Sequence, residues 1–243
     1  MIYNSPMEAS AGADSISTRA VVVRLSATRG ADAALGELGL RTGTPTLVLV
    51  GGAGGMSAET STQVGEVFGH LLVPFIEKNG LAVIDGGTSS GIMEIAGVAR
   101  TTRRAVFPLI GVLPEALVPE RAGLLQKDHT HFLLTPGHAW GDEVTWISAL
   151  ATALSGPAAS LTLLVNGGEI AWRDAAASVA AGRPVLVADG SGRTADEIAR
   201  TATHHALDPR AVELLKSHLV TISNPFTRPE EFMDAVRSAF SRI

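Results

Sequence analysis

Along this chain, short unbroken apolar runs alternate with longer Ala-rich stretches whose apolar positions recur at helical spacing. Val21 to Leu25 predicts an edge strand, and 31–40 a short helix. Thr46 to Val50 shows no polar alternation, which predicts a strand covered on both faces. It runs into Gly51-Gly52-Ala53-Gly54-Gly55-Met56-Ser57, and a helix is predicted over 57–79. Leu81 to Ile84 is the next strand, ending at Asp85-Gly86-Gly87-Thr88-Ser89-Ser90, with a helix over 91–101. Leu109 to Val112 leads to Leu113-Pro114. His131 to Leu134 leads to the loop Thr135-Pro136-Gly137-His138-Ala139-Trp140-Gly141-Asp142-Glu143 and a helix to about 154. Leu161 to Val165 ends at Asn166-Gly167-Gly168-Glu169, before a helix over 169–181. Val185 to Val187 ends at Ala188-Asp189-Gly190-Ser191-Gly192-Arg193, before a helix over 194–202. A helix over 209–217, a strand over 219–222 and a helix over 228–241 close the chain.

Strand then helix, repeated, requires crossover connections, so the pattern predicts an α/β fold: a mostly parallel sheet with helices on both faces. Gly, Pro, Asn and Asp gather where the strands end, and in an open parallel sheet those ends form one rim where ligands bind. No boundary divides the pattern and no fixed period repeats, so one domain is expected over 19–243, behind a flexible leader at 1–18.

Composition narrows the function classes. The 243 residues suit one large α/β domain, and with 46% hydrophobic but only 5% aromatic residues the core must be built of Ala, Val, Leu and Ile. A net charge of −5 leaves no basic stripe, so nucleic acid is not an expected partner. The absence of cysteine excludes disulfides, thiolate metal sites and a Cys nucleophile, and agrees with a cytoplasmic location. The first residues lack a basic segment followed by an apolar one, so they do not read as a secretory signal. Residues 144–168 are uncharged and long enough to span a bilayer, but Ser155-Gly156-Pro157 interrupts them; they read as helix, turn and buried strand, with no direct membrane insertion.

The glycine-rich turns carry the candidate chemistry. Glycine lets backbone amides approach a ligand closely, and a helix N-terminus adds unpaired donors and a positive dipole end, which together suit phosphate. Three such turns share the predicted rim: Gly52, Ala53 and Gly54; Gly87, Thr88, Ser89 and Ser90; and Asp189, Gly190, Ser191, Gly192 and Arg193. Their number suggests a ligand with more than one phosphate. Arg193 can grip phosphate in bidentate fashion, while Asp196 can pair with it or cap the helix. Pro114 and Gly167 end their own strands on the same rim. The Gly51–Gly55 run fits neither the dinucleotide pattern G-x-G-x-x-G nor a P-loop, which needs Lys-Ser/Thr.

The loop after His131–Leu134 adds Gly137, His138, Trp140, Gly141 and Glu143. Trp140 can stack on a base or pack its own loop, and His138 titrates near neutrality. Asp142 and Glu143 suit a helix start; Glu143 is also the candidate general base or ribose clamp. A second acid is not obvious, because Glu94 lies far down its helix and Glu169 in another loop. Asp85 is expected to accept turn amides or, alternatively, a ribose hydroxyl. His129 and His131 share a face by period-two spacing, at the start of a strand away from the rim; no third ligand is evident, so they read as structural and no metal is expected.

Four segments, "VIDGGTSSGIME", "HTHFLLTPG", "WGDEV" and "ADGSGRTADEIA", in this order resemble the N-terminal cytosolic region of melastatin-type TRP channels. More closely, residues 45 to 225 resemble the prokaryotic LSDAT proteins of the SLOG superfamily. That resemblance implies a Rossmann-like sheet and an NAD-derived nucleotide such as ADP-ribose or cyclic ADP-ribose. It implies a sensor role without a resident cofactor, with output through an effector protein or a change of assembly; the Ala- and Leu-rich helices are compatible with a homo-oligomer. The superfamily also includes the Lonely-Guy phosphoribohydrolases, whose signature is P-G-G-x-G-T-x-x-E. Here Pro136-Gly137 is followed by His138 and Trp140 in place of the second and third Gly, the Thr is absent, and the acid comes one residue early. N-glycosidic hydrolysis through Glu143 is therefore the alternative reading.

Overall fold

The computed structural model describes residues 20–26, 30–52, 54–118, 124–204 and 208–241. The leader and Ala53 lie outside the described residues. In chain order the strands are β1 (Val21–Arg24), β2 (Thr46–Gly51), β3 (Ala82–Asp85), β4 (Leu109–Pro114), β5 (His131–Thr135), β6 (Ser160–Val165), β7 (Val185–Ala188) and β8 (Val220–Ser223). The helices are α1 (Ala31–Glu37), α2 (Ala58–Val67), α3 (Val73–Asn79), α4 (Gly91–Thr102), α5 (Val144–Ser155), α6 (Glu169–Ala180), α7 (Arg193–His204), α8 (Pro209–Leu215) and α9 (Pro229–Phe240). The predicted helix over 57–79 is α2 and α3 joined by a π-helical turn, Phe68–Leu72. Pro74 sits just beyond that turn and has no amide to donate, so the ladder of the preceding residues is widened rather than continued.

All strands are parallel, in the order β1-β5-β4-β3-β2-β6-β7-β8. The fold is a Rossmann-like open sheet, as the pattern and the resemblance led one to expect. The unbroken apolar runs follow from burial on both faces. On one face Val48, Val50, Ile84, Ile110 and Leu133 pack under α1, α5, α6, α7 and α8. On the other, Leu47, Leu49, Val83, Leu109 and Leu163 pack under α2, α3, α4 and α9. Among the described residues no helix is long and apolar enough to cross a membrane. The uncharged stretch 144–168 resolves into α5, a turn at Gly156 and β6, as its breakers predicted.

The order of strands fixes where a crevice opens. From β2 the chain builds outward through β3, β4 and β5, then returns through α5 to lay β6 on the other side of β2. The connections leaving β2 and β6 therefore diverge to opposite faces, and a cleft forms beyond their C-terminal ends.

Candidate functional site

Gly51 and Val165 are paired at the ends of β2 and β6, and they stand so close that a Cβ on Gly51 would meet the Val165 carbonyl oxygen at 2.2 Å. Beyond this pair lies a cavity of about 520 Å³, within the range of roughly 300 to 1,000 Å³ usual for small-molecule sites. Leu49, Met93, Leu124, Trp140 and Ile147 give it apolar surface.

One part of the lining attracts anions. Ser90 precedes α4 and Gly168 precedes α6; neither closes its helix with a side-chain hydrogen bond, and both border the cavity. Helix geometry leaves the first amides of each helix without intrahelical acceptors and adds the positive dipole end. Arg193 borders the cavity between the β2 and β6 loops. Its Nη1 donates to the Gly54 carbonyl at 2.7 Å, and a Cβ on Gly168 would come within 3.0 Å of its Nη2. Its backbone is left-handed, with φ of 49°, a conformation that side chains other than Gly rarely adopt and that marks local strain. Glu169 also borders the cavity; its Oε2 accepts from Arg210 Nη1 at 2.8 Å, a guanidinium that it shares with Asp208.

Another part is acidic. Glu143, at the start of α5, is buried, and its Oε2 accepts the Gly141 amide at 2.7 Å. Burial raises its pKa, and the negative Asp142 adds to the rise, against the opposing amide of Gly141. Facing the same space from α6 is Asp174, 9% exposed, whose Oδ1 has no hydrogen-bond partner. Burial pushes its carboxyl up to about 7, and the charge of Glu143 pushes the same way. Asp174 is the second acid that sequence reasoning missed. The signal was present: Ala171, Asp174, Ala175 and Ser178 form the buried stripe of α6, and an aspartate on an apolar stripe is anomalous.

The remaining sequence-predicted residues divide clearly. Gly52, Thr88, Ser90, Trp140, Glu143 and Arg193 line the cavity, whereas Gly86 and Gly168 do so rather than Gly87 and Gly167. Ser89 turns away: its hydroxyl donates to Leu125 and its amide to Leu124. Pro114, Gly137 and His138 stand apart from the cavity, while Gly141 serves it by holding Glu143. Asp142 accepts the amides of His138 and Ala139, which fixes the loop and holds its own carboxyl below the usual range. Gly54 meets the site through the carbonyl that anchors Arg193.

The third glycine turn is not a set of bare amides. The N–H groups of Gly190 and Gly192 donate to Asp196 Oδ1 at 2.8 and 2.9 Å. Ser191 is fully buried and binds the Ala188 carbonyl and the Asn166 amide. Asp189 and these residues therefore build the turn that presents Arg193 and do not line the cavity themselves. The smallness of Gly87 also has an internal cause. With φ of 66°, it packs where a Cβ would stand 2.8 Å from Gly111 Cα and 3.1 Å from the Phe132 ring.

Two further expectations are corrected or resolved. Asp85 takes the structural alternative: it is fully buried, and its Oδ1 accepts the Gly87 amide at 2.7 Å and faces His129 Nε2 at 2.8 Å. His129 and His131 do not share a face. His129 lies in the turn before β5, against Asp85 and Gln126, whereas His131 contacts the Leu38 carbonyl on the opposite face. Period two fails because residue 129 precedes the strand. Both ring nitrogens of His129 meet oxygens, Nδ1 that of Gln126 Oε1 at 3.0 Å and Nε2 that of Asp85 Oδ1 at 2.8 Å. Among the described residues no cluster of three or more His, Asp or Glu could hold a metal.

Comparison with known proteins agrees with this architecture. The X-ray structure of TM1055, a structural-genomics target, is similar with a TM-score of 0.53 at 20% identity, covering 80% of this chain and 99% of that one. At that identity the likeness concerns the fold. No curated protein matches the chain. A family profile described as "SLOG in TRPM, prokaryote" matches residues 44–230, which include the cavity and nearly all of the sheet. The chain belongs to this prokaryotic SLOG family of LSDAT proteins.

Proposed function

We propose that the cavity binds an NAD-derived nucleotide, with ADP-ribose and cyclic ADP-ribose as the leading examples, and that the protein acts as a sensor of it. Family membership supports a nucleotide-related domain. The observation that carries the reading is the pairing, in one cavity, of an anion-attracting end (Arg193 and the uncapped starts of α4 and α6) with a carboxyl end (Glu143 and Asp174). Phosphates suit the first, and sugar hydroxyls suit the second. Trp140 and the aliphatic lining offer surface for a base. The sensor passes its state to an effector protein or to its own assembly.

Titration calorimetry with ADP-ribose, cyclic ADP-ribose, NAD and AMP, followed by chromatography of the mixtures, tests this reading. Saturable binding with intact ligand is the expected result; no heat from any of the four would remove nucleotide sensing.

A second reading, hydrolysis of an N-glycosidic bond, is favoured by one observation: Asp174 supplies a carboxyl beside Glu143. A pair of acids with raised pKa values can divide proton donation and water activation between them. Free base in the same chromatograms, abolished by Glu143→Gln, would select the enzyme over the sensor.

A further inference from the structure

We infer that Asp174, together with Glu143, is the specificity-determining site for a vicinal diol, so that the cavity selects a pentose 5-phosphate unit by its cis hydroxyls. The inference deepens the nucleotide reading and rests on it for the phosphate end of the ligand.

Three features of the structure lead there. Asp174 is nine-tenths buried and borders the cavity, and its Oδ1, itself enclosed, has no partner. A buried carboxyl left without partners is costly, and a ligand hydroxyl that reaches it from the cavity side recovers part of that cost on binding. Glu143 commits Oε2 to the Gly141 amide, so the loop fixes this carboxyl in the lining of the cavity that Asp174 shares. Both carboxyls line the one cavity, and burial disfavours the charged form of each against the nearby Arg173 guanidinium; a carboxyl that keeps its proton both donates and accepts. A hydroxyl is itself donor and acceptor, and a cis pair can serve both acids at once.

Placement along α6 gives the scale. Gly168 immediately precedes the helix, next to Arg193, and Asp174 follows six residues later. At the helical rise this is ~9 Å, a distance that one sugar-phosphate unit spans once the side chains reach inward. The anion end therefore holds the 5-phosphate while the acids read the ring hydroxyls.

The test uses the full chain and defined probes: ribose 5-phosphate and 2-deoxyribose 5-phosphate, and ADP-ribose beside analogues lacking a 2-hydroxyl on either ribose. Calorimetry is run on wild type, Asp174→Asn and Asp174→Ala, with inorganic pyrophosphate as a probe of the phosphate end alone. The wild type is expected to prefer each diol ligand over its deoxy counterpart by about tenfold or more. Asp174→Ala should abolish that preference and leave pyrophosphate affinity unchanged, which also shows that the variant is folded. Equal affinity of the wild type for diol and deoxy ligands overturns the inference while leaving nucleotide binding intact. Discrimination between the two pentose phosphates without binding of ADP-ribose sustains the diol site and removes the nucleotide. Binding of none of the probes overturns both. Loss of all ligands alike in Asp174→Ala, pyrophosphate included, also overturns the inference.

Discussion

Asp174 ties the site to pH. Its carboxyl is pushed up to about 7 in the folded protein, against roughly 3.9 in an unfolded chain. Between those values the folded state keeps a proton that the unfolded state has released, so stability falls as pH rises from the lower to the higher value, then levels off. Asn carries no such penalty. Asp174→Asn should therefore gain on the wild type between about pH 5 and pH 8, by about 2 kcal/mol; urea midpoints at the two pH values measure it, and a gap that does not widen would contradict the buried carboxyl. Glu143 is displaced in the same direction and adds to the trend. At the opposite end of the cavity, Arg193→Ala should weaken ADP-ribose binding by about 1.5 to 3 kcal/mol, the range for a hydrogen bond to a charged group. Calorimetry reads this directly, and unchanged affinity would take Arg193 out of the site.

At the scale of elements, the glycine turns divide into those that open onto the cavity and those that the protein closes for itself. Asp196 occupies the third turn by accepting the amides of Gly190 and Gly192. Asp196→Ala should leave both without an acceptor, at a cost of about 1 to 3 kcal/mol, and should accelerate hydrogen exchange at those amides; unchanged exchange would show that the carboxylate does not hold the turn. Gly87→Ala forces a methyl toward Gly111 Cα at a positive φ, so it should destabilise by about 1 to 3 kcal/mol in urea unfolding. The sequence made the elements legible because burial on both faces produces apolar runs, and strand ends collect glycine. It also brought out Arg193, Trp140 and Glu143, which meet in the cavity. It did not separate turns closed from within from turns open to a ligand, because Asp196 acts from the helix that follows its turn and Gly87 answers to Gly111 and Phe132, one and two strands away. Asp174 escaped for a different reason: its neighbour Glu143 lies 31 positions earlier (174 minus 143), and only the packing of α5 on α6 brings them together.

At the scale of the whole molecule, loops from both halves of the sheet converge on one cleft, so occupancy of the cleft is coupled to global stability. A nucleotide at one hundred times its dissociation constant should raise the unfolding free energy by about 2.7 kcal/mol, seen as a higher melting temperature that depends on ligand concentration. A melting temperature indifferent to every nucleotide would place their binding elsewhere or nowhere.

The position of β1 has a bearing on biogenesis. Val21 finds its register against His131, and Arg24 against Leu134, so β1 pairs with a strand made more than one hundred residues later (131 minus 21). Non-local pairing of this kind is slow. Until Leu134 has emerged, Val21–Arg24 is a short apolar ribbon with no mate, and β5 likewise keeps a bare flank until β1 docks. During synthesis that interval leaves both edges open to capture by chaperones or by other copies of the chain.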